Sequence, residues 1–161
     1  MASVKGRDIF KLVLCIVICQ LAGVVGSIPN IEAIPGWYTT IARPSFNPPN
    51  SVFAPVWISL YFMMGVAAFL VWRKGLETPG VKTALIVFAV QLALNILWSY
   101  VFFGWKLLFL AFVEIAVLWL MILVSIVHFR PVSKAAAWLL APYLLWVSYA
   151  SVLTFSIWRL N

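Results

Sequence analysis

Five long apolar runs constrain this chain more than any other feature of its sequence. They cover residues 8–28, 52–72, 81–103, 107–129 and 135–158. Each run has about the 20 residues that a helix needs to cross the hydrocarbon core of a bilayer. The runs show no strict alternation of polar and apolar residues, and unpaired backbone groups are costly in hydrocarbon, so helices are favoured over a β-barrel. We therefore predict an all-α integral membrane protein in which residues 1–161 form one domain, a bundle of five transmembrane helices.

The composition points to lipid as the solvent for most of the surface. Hydrophobic residues make up 65% of the chain, charged residues only 9%, and the mean hydropathy is +1.09. A water-soluble domain with this composition would not stay in solution. The first run follows Lys5 and Arg7, as in a signal peptide, but it is too long for the apolar region of one and lacks a small-residue cleavage site. We expect it to remain as a transmembrane helix.

The basic residues predict the orientation of the helices. The formal charge is +7, but Lys and Arg occur one to three at a time between apolar runs, so we predict no nucleic-acid partner. Three of the 11 fall on one side of the membrane, namely Arg43, Lys106 and Arg159. The other eight fall on the side of the N-terminus, namely Lys5, Arg7, Lys11, Arg73, Lys74, Lys82, Arg130 and Lys134. The positive-inside rule then predicts a cytoplasmic N-terminus in a bacterial cell membrane, with the mitochondrial outer membrane as the alternative location.

The connection between the first two runs, residues 29–51, is the only long one. It contains five prolines together with Trp37, Tyr38 and Phe46. A segment with so many fixed φ angles and so much aromatic area is expected to pack against the bundle as a lid. The alternative is a belt of aromatic side chains at the membrane interface, which Trp and Tyr form in many membrane proteins.

Catalytic and metal-binding sets are absent from the sequence. There is one histidine, His128, and there are four acidic residues, so no catalytic triad, metal cluster or phosphate loop can be assembled. Cys15 and Cys19 lie four residues apart in one helix, where we interpret them as buried apolar side chains. We expect no required cofactor.

Polar and aromatic residues inside the runs predict a cavity. In the third run Gln91, Asn95, Trp98 and Phe102 share one helix face. Two further faces carry Trp57 and Tyr61 in the second run, and Pro142, Trp146, Ala150 and Leu153 in the fifth. Together they would line an aromatic cavity with a few hydrogen-bonding groups. The alternative is that Gln91 and Asn95 only join helices through hydrogen bonds, but nine tryptophans favour the cavity.

Glu114 and a pair of alanines complete the residues of interest within the runs. An acid inside a membrane must be paired, hydrated or protonated, and for Glu114 we favour a structural hydrogen bond to another helix over a role in proton coupling. Ala89 and Ala93 form a small-xxx-small pair that suits close helix contact, either within one chain or between two.

The loop and the helix faces carry a recognisable signature. Trp37-Tyr38 is followed, after four residues, by Arg43-Pro44, then Phe46 and Pro48-Pro49. The pattern continues with Pro55, Trp57 and Tyr61, the segment 91–95, Trp98, residues 102–104, Glu114, Pro142-Tyr143 and Trp146. In this order the motifs resemble the translocator protein family, also called tryptophan-rich sensory proteins or peripheral-type benzodiazepine receptors, over nearly the whole chain.

The resemblance implies five helices around a ligand cavity that the first loop caps, often in a homodimer that packs through the third helix, where Ala89 and Ala93 lie. Members bind porphyrins such as protoporphyrin IX, benzodiazepine-type drugs and, in animal mitochondria, cholesterol. Some bacterial members are reported to degrade porphyrin in light, with tryptophans that match Trp57 and Trp146. The sterol motif of the family requires a Tyr where this chain has Phe155, which argues against cholesterol.

These observations predict a membrane-embedded protein that binds, senses or transports porphyrins and similar flat hydrophobic ligands. The alternatives are a light-dependent porphyrin-degrading enzyme that uses Trp57 and Trp146, and a sterol-binding or ligand-free scaffold. As a further hypothesis, Arg43 pairs with a carboxylate of the ligand. The predicted ligand-binding residues are Trp37, Tyr38, Arg43, Trp57, Tyr61, Gln91, Asn95, Trp98, Phe102, Trp146 and Ala150.

Overall fold

The computed structural model describes residues 6–161, so Lys5, one of the charges used for orientation, lies outside the described residues. In chain order the helices are α1 (Gly6–Ser27), α2 (Asn30–Ala33), α3 (Trp37–Thr40), α4 (Asn50–Trp72), α5 (Val81–Ser99), α6 (Leu108–Val132), α7 (Lys134–Leu139) and α8 (Ala141–Leu160). A π-helical turn, Tyr100–Gly104, continues α5. Residues 6–161 contain no β-strand.

Five helices are long and apolar enough to cross a membrane, as predicted. They are α1, α4, α5 with its π turn, α6, and the combined span Lys134–Leu160 that α7 and α8 form. The fifth span is interrupted at Leu140, just before Pro142. Proline lacks an N–H and fits only the first turn of a helix without loss of a bond, so a new helix starts there.

Packing brings α1 against α4, and α5 and α8 against α6. The bundle core contains Met64, Ala67, Val71 and Ile122, none of which is exposed. Gly65 makes the contact between α1 and α4 very close, because a Cβ at this position would lie 2.6 Å from the Cα of Ile16. Large apolar residues face outward on every span, as expected where the solvent is lipid.

The π turn reorganises the end of α5. The amide of Trp105 donates to the carbonyl of Tyr100 at 2.7 Å, a bond that spans five residues. Lys106 follows with a φ of 58°, and α6 begins two residues later. The extra residue turns both Phe102 and Phe103 toward the interior side of the helix, where they meet the first loop.

The first loop packs against the bundle. The ring centroid of Tyr38 lies 5.6 Å from that of Phe103, and the Tyr38 hydroxyl donates to Asn47 Oδ1 at 2.7 Å. Tyr149 of α8 donates to the Phe46 carbonyl at 2.6 Å. The side chain of Asn161 also makes two 3.0 Å hydrogen bonds with the backbone of Ala42. The loop is therefore held both at the end of α5 and along α8.

Candidate functional site: an aromatic cavity between the helices

A cavity of about 610 Å³ lies between α1, α4, α5, α8 and the first loop. Its volume is within the range of about 300–1,000 Å³ that is typical of small-molecule sites. Its walls are mainly aromatic, with the side chains of Phe53, Trp57, Tyr61, Trp98, Phe102 and Trp146.

The aromatic rings support one another. Because Trp57 and Tyr61 are one helix turn apart, their rings lie 5.6 Å apart on the same face of α4. Trp98 stacks on Phe102 with ring centroids 5.2 Å apart. On the opposite wall Trp146 meets Phe53 edge to face at 6.0 Å. Aromatic pairs of this kind add to the burial energy of each ring and hold the rings in fixed orientations.

The predicted helix faces meet at this cavity. Tyr38 lines it, together with Trp57, Tyr61, Asn95, Trp98, Phe102, Trp146 and Ala150. The remaining predicted ligand-binding residues, Trp37, Arg43 and Gln91, do not line it.

Gln91 lies behind the cavity, at the inner end of a chain of buried hydrogen bonds. Tyr61 donates to Asn95 Oδ1, and Asn95 Nδ2 donates to the Tyr143 hydroxyl at 2.9 Å. Tyr143 in turn donates to Gln91 Oε1 at 3.0 Å. Tyr143 covers Gln91, which explains why a residue one turn from Asn95 on the same face does not reach the cavity. The sequence left two interpretations of the polar residues in α5, that they line a cavity or that they join helices. Asn95 does both.

Two indole N–H groups at the cavity are buried and have no hydrogen-bond partner in the described part of the chain. They are the Nε1 atoms of Trp98 and Trp146. An unpaired buried donor costs free energy that a ligand with an acceptor group would recover. The Oδ1 atom of Asn30, which also lines the cavity, is an unpaired acceptor. The walls therefore offer a flat apolar ligand π surfaces, while the two indole N–H groups have no accessible surface in this conformation.

Arg43 and Trp37 belong to the outer side of the loop. The guanidinium carbon of Arg43 lies 5.2 Å from the centre of the Tyr38 ring, so Tyr38 separates it from the cavity. Burial raises the pKa of Tyr38, although Arg43 and the hydrogen bond to Asn47 act in the opposite direction. Arg43 lines a second, open cavity of about 600 Å³ with the loop prolines. The Trp37 ring packs on Phe102 with centroids 5.8 Å apart.

Glu114 differs from its expected structural role. Its side chain is only 7% exposed, yet neither carboxyl oxygen has a hydrogen-bond partner among residues 6–161. The hydrogen bond to another helix that the sequence suggested is not made. His128 contacts the Val124 carbonyl of its own helix at 2.9 Å. Residues 6–161 contain no cluster of His, Cys, Asp or Glu that could hold a metal ion.

Ala89 and Ala93 lie on the outer face of α5, where both are exposed. The pair does not mediate helix contact within the chain. The surface that it forms is open to lipid or to a second protein.

The sequence analysis missed the contribution of α1. Gln20, Gly23, Val24 and Ser27 all line the cavity. A Cβ at Gly23 would lie 2.6 Å from the Tyr61 ring, so glycine makes room for that ring. A glycine and a glutamine within an otherwise apolar run were the available signal.

Comparisons with known proteins agree with the architecture. A family model described as the TspO/MBR family matches residues 15–159. The "Tryptophan-rich protein TspO" of Chlorobaculum tepidum is 42% identical over 155 residues, which cover 96% of this chain and 98% of that protein. A protein of the same name from Archaeoglobus fulgidus is 37% identical and covers 96% of this chain. The human "Translocator protein" is 36% identical over 126 residues, 78% of this chain and 75% of its own length.

Proposed function

The chain belongs to the TspO/MBR family of integral membrane proteins, and from this premise we propose that it binds, senses or transports a porphyrin or a similar flat hydrophobic molecule within the membrane. The observation that carries the proposal is the aromatic cavity of about 610 Å³ with its unpaired indole donors. A porphyrin such as protoporphyrin IX combines a large flat π surface with carboxylates at one edge. The π surface suits the aromatic walls, and a polar group at the edge of the ligand would be an acceptor for Nε1 of Trp146 once that ring turns toward it.

In this proposal the first loop acts as a lid over the ligand. Its contacts with α8, with Asn161 and with the π turn hold the loop against the bundle, which supports a position over the ligand. No metal or other cofactor is required, because binding uses only side chains of this chain. The second protein at the Ala89 and Ala93 face would be another copy, in a homodimer.

The test is a titration of detergent-purified protein with protoporphyrin IX in the dark, followed by tryptophan fluorescence. We expect saturable quenching, and we expect Trp146→Phe to raise the Kd about fivefold, because it removes one hydrogen bond of about 1 kcal/mol. The matched control is Trp138→Phe, since Trp138 is 77% exposed and lies outside the cavity. Quenching that does not saturate, and that is equal in both variants, would mean that the porphyrin only partitions into the micelle.

A second candidate is light-dependent degradation of the bound porphyrin. It is supported by the position of Trp57 and Trp146, which both line the cavity and would be in contact with the macrocycle. Illumination of the purified complex separates the two candidates. Degradation is supported if new absorbance bands appear with the wild-type protein and not with the Trp146→Phe variant. If the spectrum of the wild-type complex does not change in light, binding without degradation is the remaining function.

The role of Arg43 is tested by changing the ligand as well as the protein. Because Tyr38 separates Arg43 from the cavity, a salt bridge requires the ligand carboxylate to extend past the Tyr38 ring. We expect Arg43→Ala to raise the Kd for protoporphyrin IX about tenfold and the Kd for its dimethyl ester only about twofold. The control is Arg130→Ala, at the opposite end of the bundle. Equal losses for acid and ester would show that Arg43 does not pair with the carboxylate.

A further inference from the structure

Side chains of α1 and α4 form one wall of the cavity. Val24 of α1 and Ile58 of α4 both line the cavity, and each is 59% exposed. Both belong to membrane-spanning segments, so the outer surface at this point faces hydrocarbon. These two side chains, one from each helix, therefore form part of the cavity wall between α1 and α4.

The two helices diverge toward this point. They touch backbone to backbone at Gly65, where an added Cβ would lie 2.6 Å from Ile16 Cα and 3.0 Å from the Cys15 carbonyl oxygen. All cavity-lining positions of α1 lie between residues 20 and 27, and those of α4 lie between residues 50 and 61, on one side of that contact. We call the line of contact between α1 and α4 the seam. It is closed where Gly65 meets Ile16, and it opens into the cavity between residues 20–27 of α1 and residues 50–61 of α4.

One hydrogen bond crosses the widened part of the seam. Gln20 Nε2 donates to the Ile58 carbonyl oxygen at 3.0 Å, and within residues 6–161 this is the only hydrogen bond that joins α1 to α4. Gln20 precedes the end of α1 by seven residues, which is about 10 Å along the helix. At that depth water does not compete for the amide, so the bond holds the seam closed.

More hydrogen bonds hold the first loop in place than join α1 to α4. One hydrogen bond connects the first loop to α8, from Tyr149 to Phe46, and two connect it to Asn161, which follows α8. On the cavity side of Gly65 the seam has one such bond, and its other contacts there are between apolar and aromatic side chains, which an apolar molecule in the membrane can replace with its own. Fewer hydrogen bonds therefore have to break between α1 and α4 than at the first loop.

We propose that the ligand enters and leaves through the α1–α4 seam, directly from the hydrocarbon of the bilayer, and that the Gln20–Ile58 hydrogen bond is its latch. This inference rests on the proposed function and narrows it, because it restricts the ligand to molecules that partition into lipid. A water-soluble anion would not reach the seam.

The test measures the rates of binding and release in liposomes. Protein is reconstituted at fixed lipid composition and mixed with protoporphyrin IX in the dark, and tryptophan quenching is followed by stopped flow. The association rate is expected to follow the number of porphyrin molecules per lipid, and to fall when empty liposomes dilute the porphyrin.

Two variants act on the seam in opposite directions. Gln20→Met keeps the length of the side chain but removes the donor, and we expect both the association and the dissociation rate to rise about fivefold. Ile58→Phe fills the opening, and both rates are expected to fall. Ile86→Phe is the control, because Ile86 is 64% exposed to lipid on α5 and does not line the cavity. If Gln20→Met only damaged the cavity, the dissociation rate would rise but the association rate would not.

The outcomes separate the route from the function. If binding is saturable but neither seam variant changes the rates, while Tyr149→Phe in the loop contact accelerates both, the ligand passes the lid and the seam proposal is wrong. If the wild-type protein shows no saturable quenching, the proposed function fails, and the route fails with it.

Discussion

Asn95 connects the cavity to the buried core. Its amide accepts from Tyr61 on the cavity side and donates to Tyr143 on the core side. The side chain is only 4% exposed; it is the acceptor for the Tyr61 hydroxyl and one of the two partners of the Tyr143 hydroxyl. The chain of hydrogen bonds ends at Gln91, whose Oε1 is paired with Tyr143 but whose Nε2 has no hydrogen-bond partner among residues 6–161.

Loss of Asn95 should therefore destabilise the protein as well as weaken binding. We expect Asn95→Ala to lower the free energy of unfolding by about 1–3 kcal/mol, because two buried hydroxyls lose a partner. Tyr143→Phe should cost a similar amount. In the double variant the losses should not add, since both substitutions break the same chain. Unfolding in mixed micelles measures all three, and additive losses would show that the residues act independently.

Glu114 represents the opposite case, a buried polar group without a partner. We expect Glu114→Leu to leave the free energy of unfolding unchanged or raise it, because removing an unpaired carboxyl from an apolar site relieves its cost of burial. Glu77→Ala is the control, since the Lys82–Glu77 pair, 3.6 Å apart, is exposed and should contribute little. A loss of more than about 1 kcal/mol for Glu114→Leu would show that the acid has a stabilising partner.

At the scale of the elements, the contact between α1 and α4 depends on the absence of a side chain at Gly65. We expect Gly65→Ala to destabilise the protein by about 1–3 kcal/mol, because its methyl group would overlap the backbone of Ile16. Gly26→Ala is the matched control, since its Cβ would meet only ordinary contacts at 3.8 Å. Thermal unfolding of both variants tests this. Equal stability of the two would mean that α1 and α4 are not in backbone contact.

Helical periodicity predicted the cavity faces of α4, α5 and α8 because each face carries aromatic or polar residues one turn apart. Trp57 with Tyr61, and Asn95 with Trp98, were recognisable for that reason. Gly23 was not, because its role is to leave space for Tyr61, and an empty volume has no residue pattern. Tyr143 and Gln91 show a second limit, since periodicity gives the direction of a side chain but not what covers it.

The local geometry of the helix ends was also beyond the sequence analysis. The π turn at Tyr100–Gly104 depends on how Phe102 and Phe103 pack against Tyr38, which is a tertiary contact. The break at Leu140 had a visible cause in Pro142, yet the run was predicted as one continuous helix. A long apolar run predicts a span, but it does not show whether one helix or two make it.

At the scale of the whole molecule, the distribution of Lys and Arg predicts the orientation in the membrane. Single cysteines at Lys74 and Lys106, which are exposed at opposite ends of the bundle, would test it with a maleimide that does not cross membranes. We expect Lys106→Cys to react in intact bacterial cells and Lys74→Cys only after the membrane is opened. Cys15 and Cys19 are buried and should contribute little background. The reverse labelling pattern would place the N-terminus outside.

The attachment of the first loop to α8 has a consequence for biogenesis. Tyr149 and Phe46 are 103 positions apart, and Asn161 and Ala42 are 119 positions apart. Since a ribosome makes the chain from its N-terminus, the loop emerges long before the helix that holds it. The insertion machinery would therefore handle a bundle of four spans whose cavity is still open on one side. Only after α8 has entered the membrane can the loop settle, so the site is completed long after the loop itself has been made.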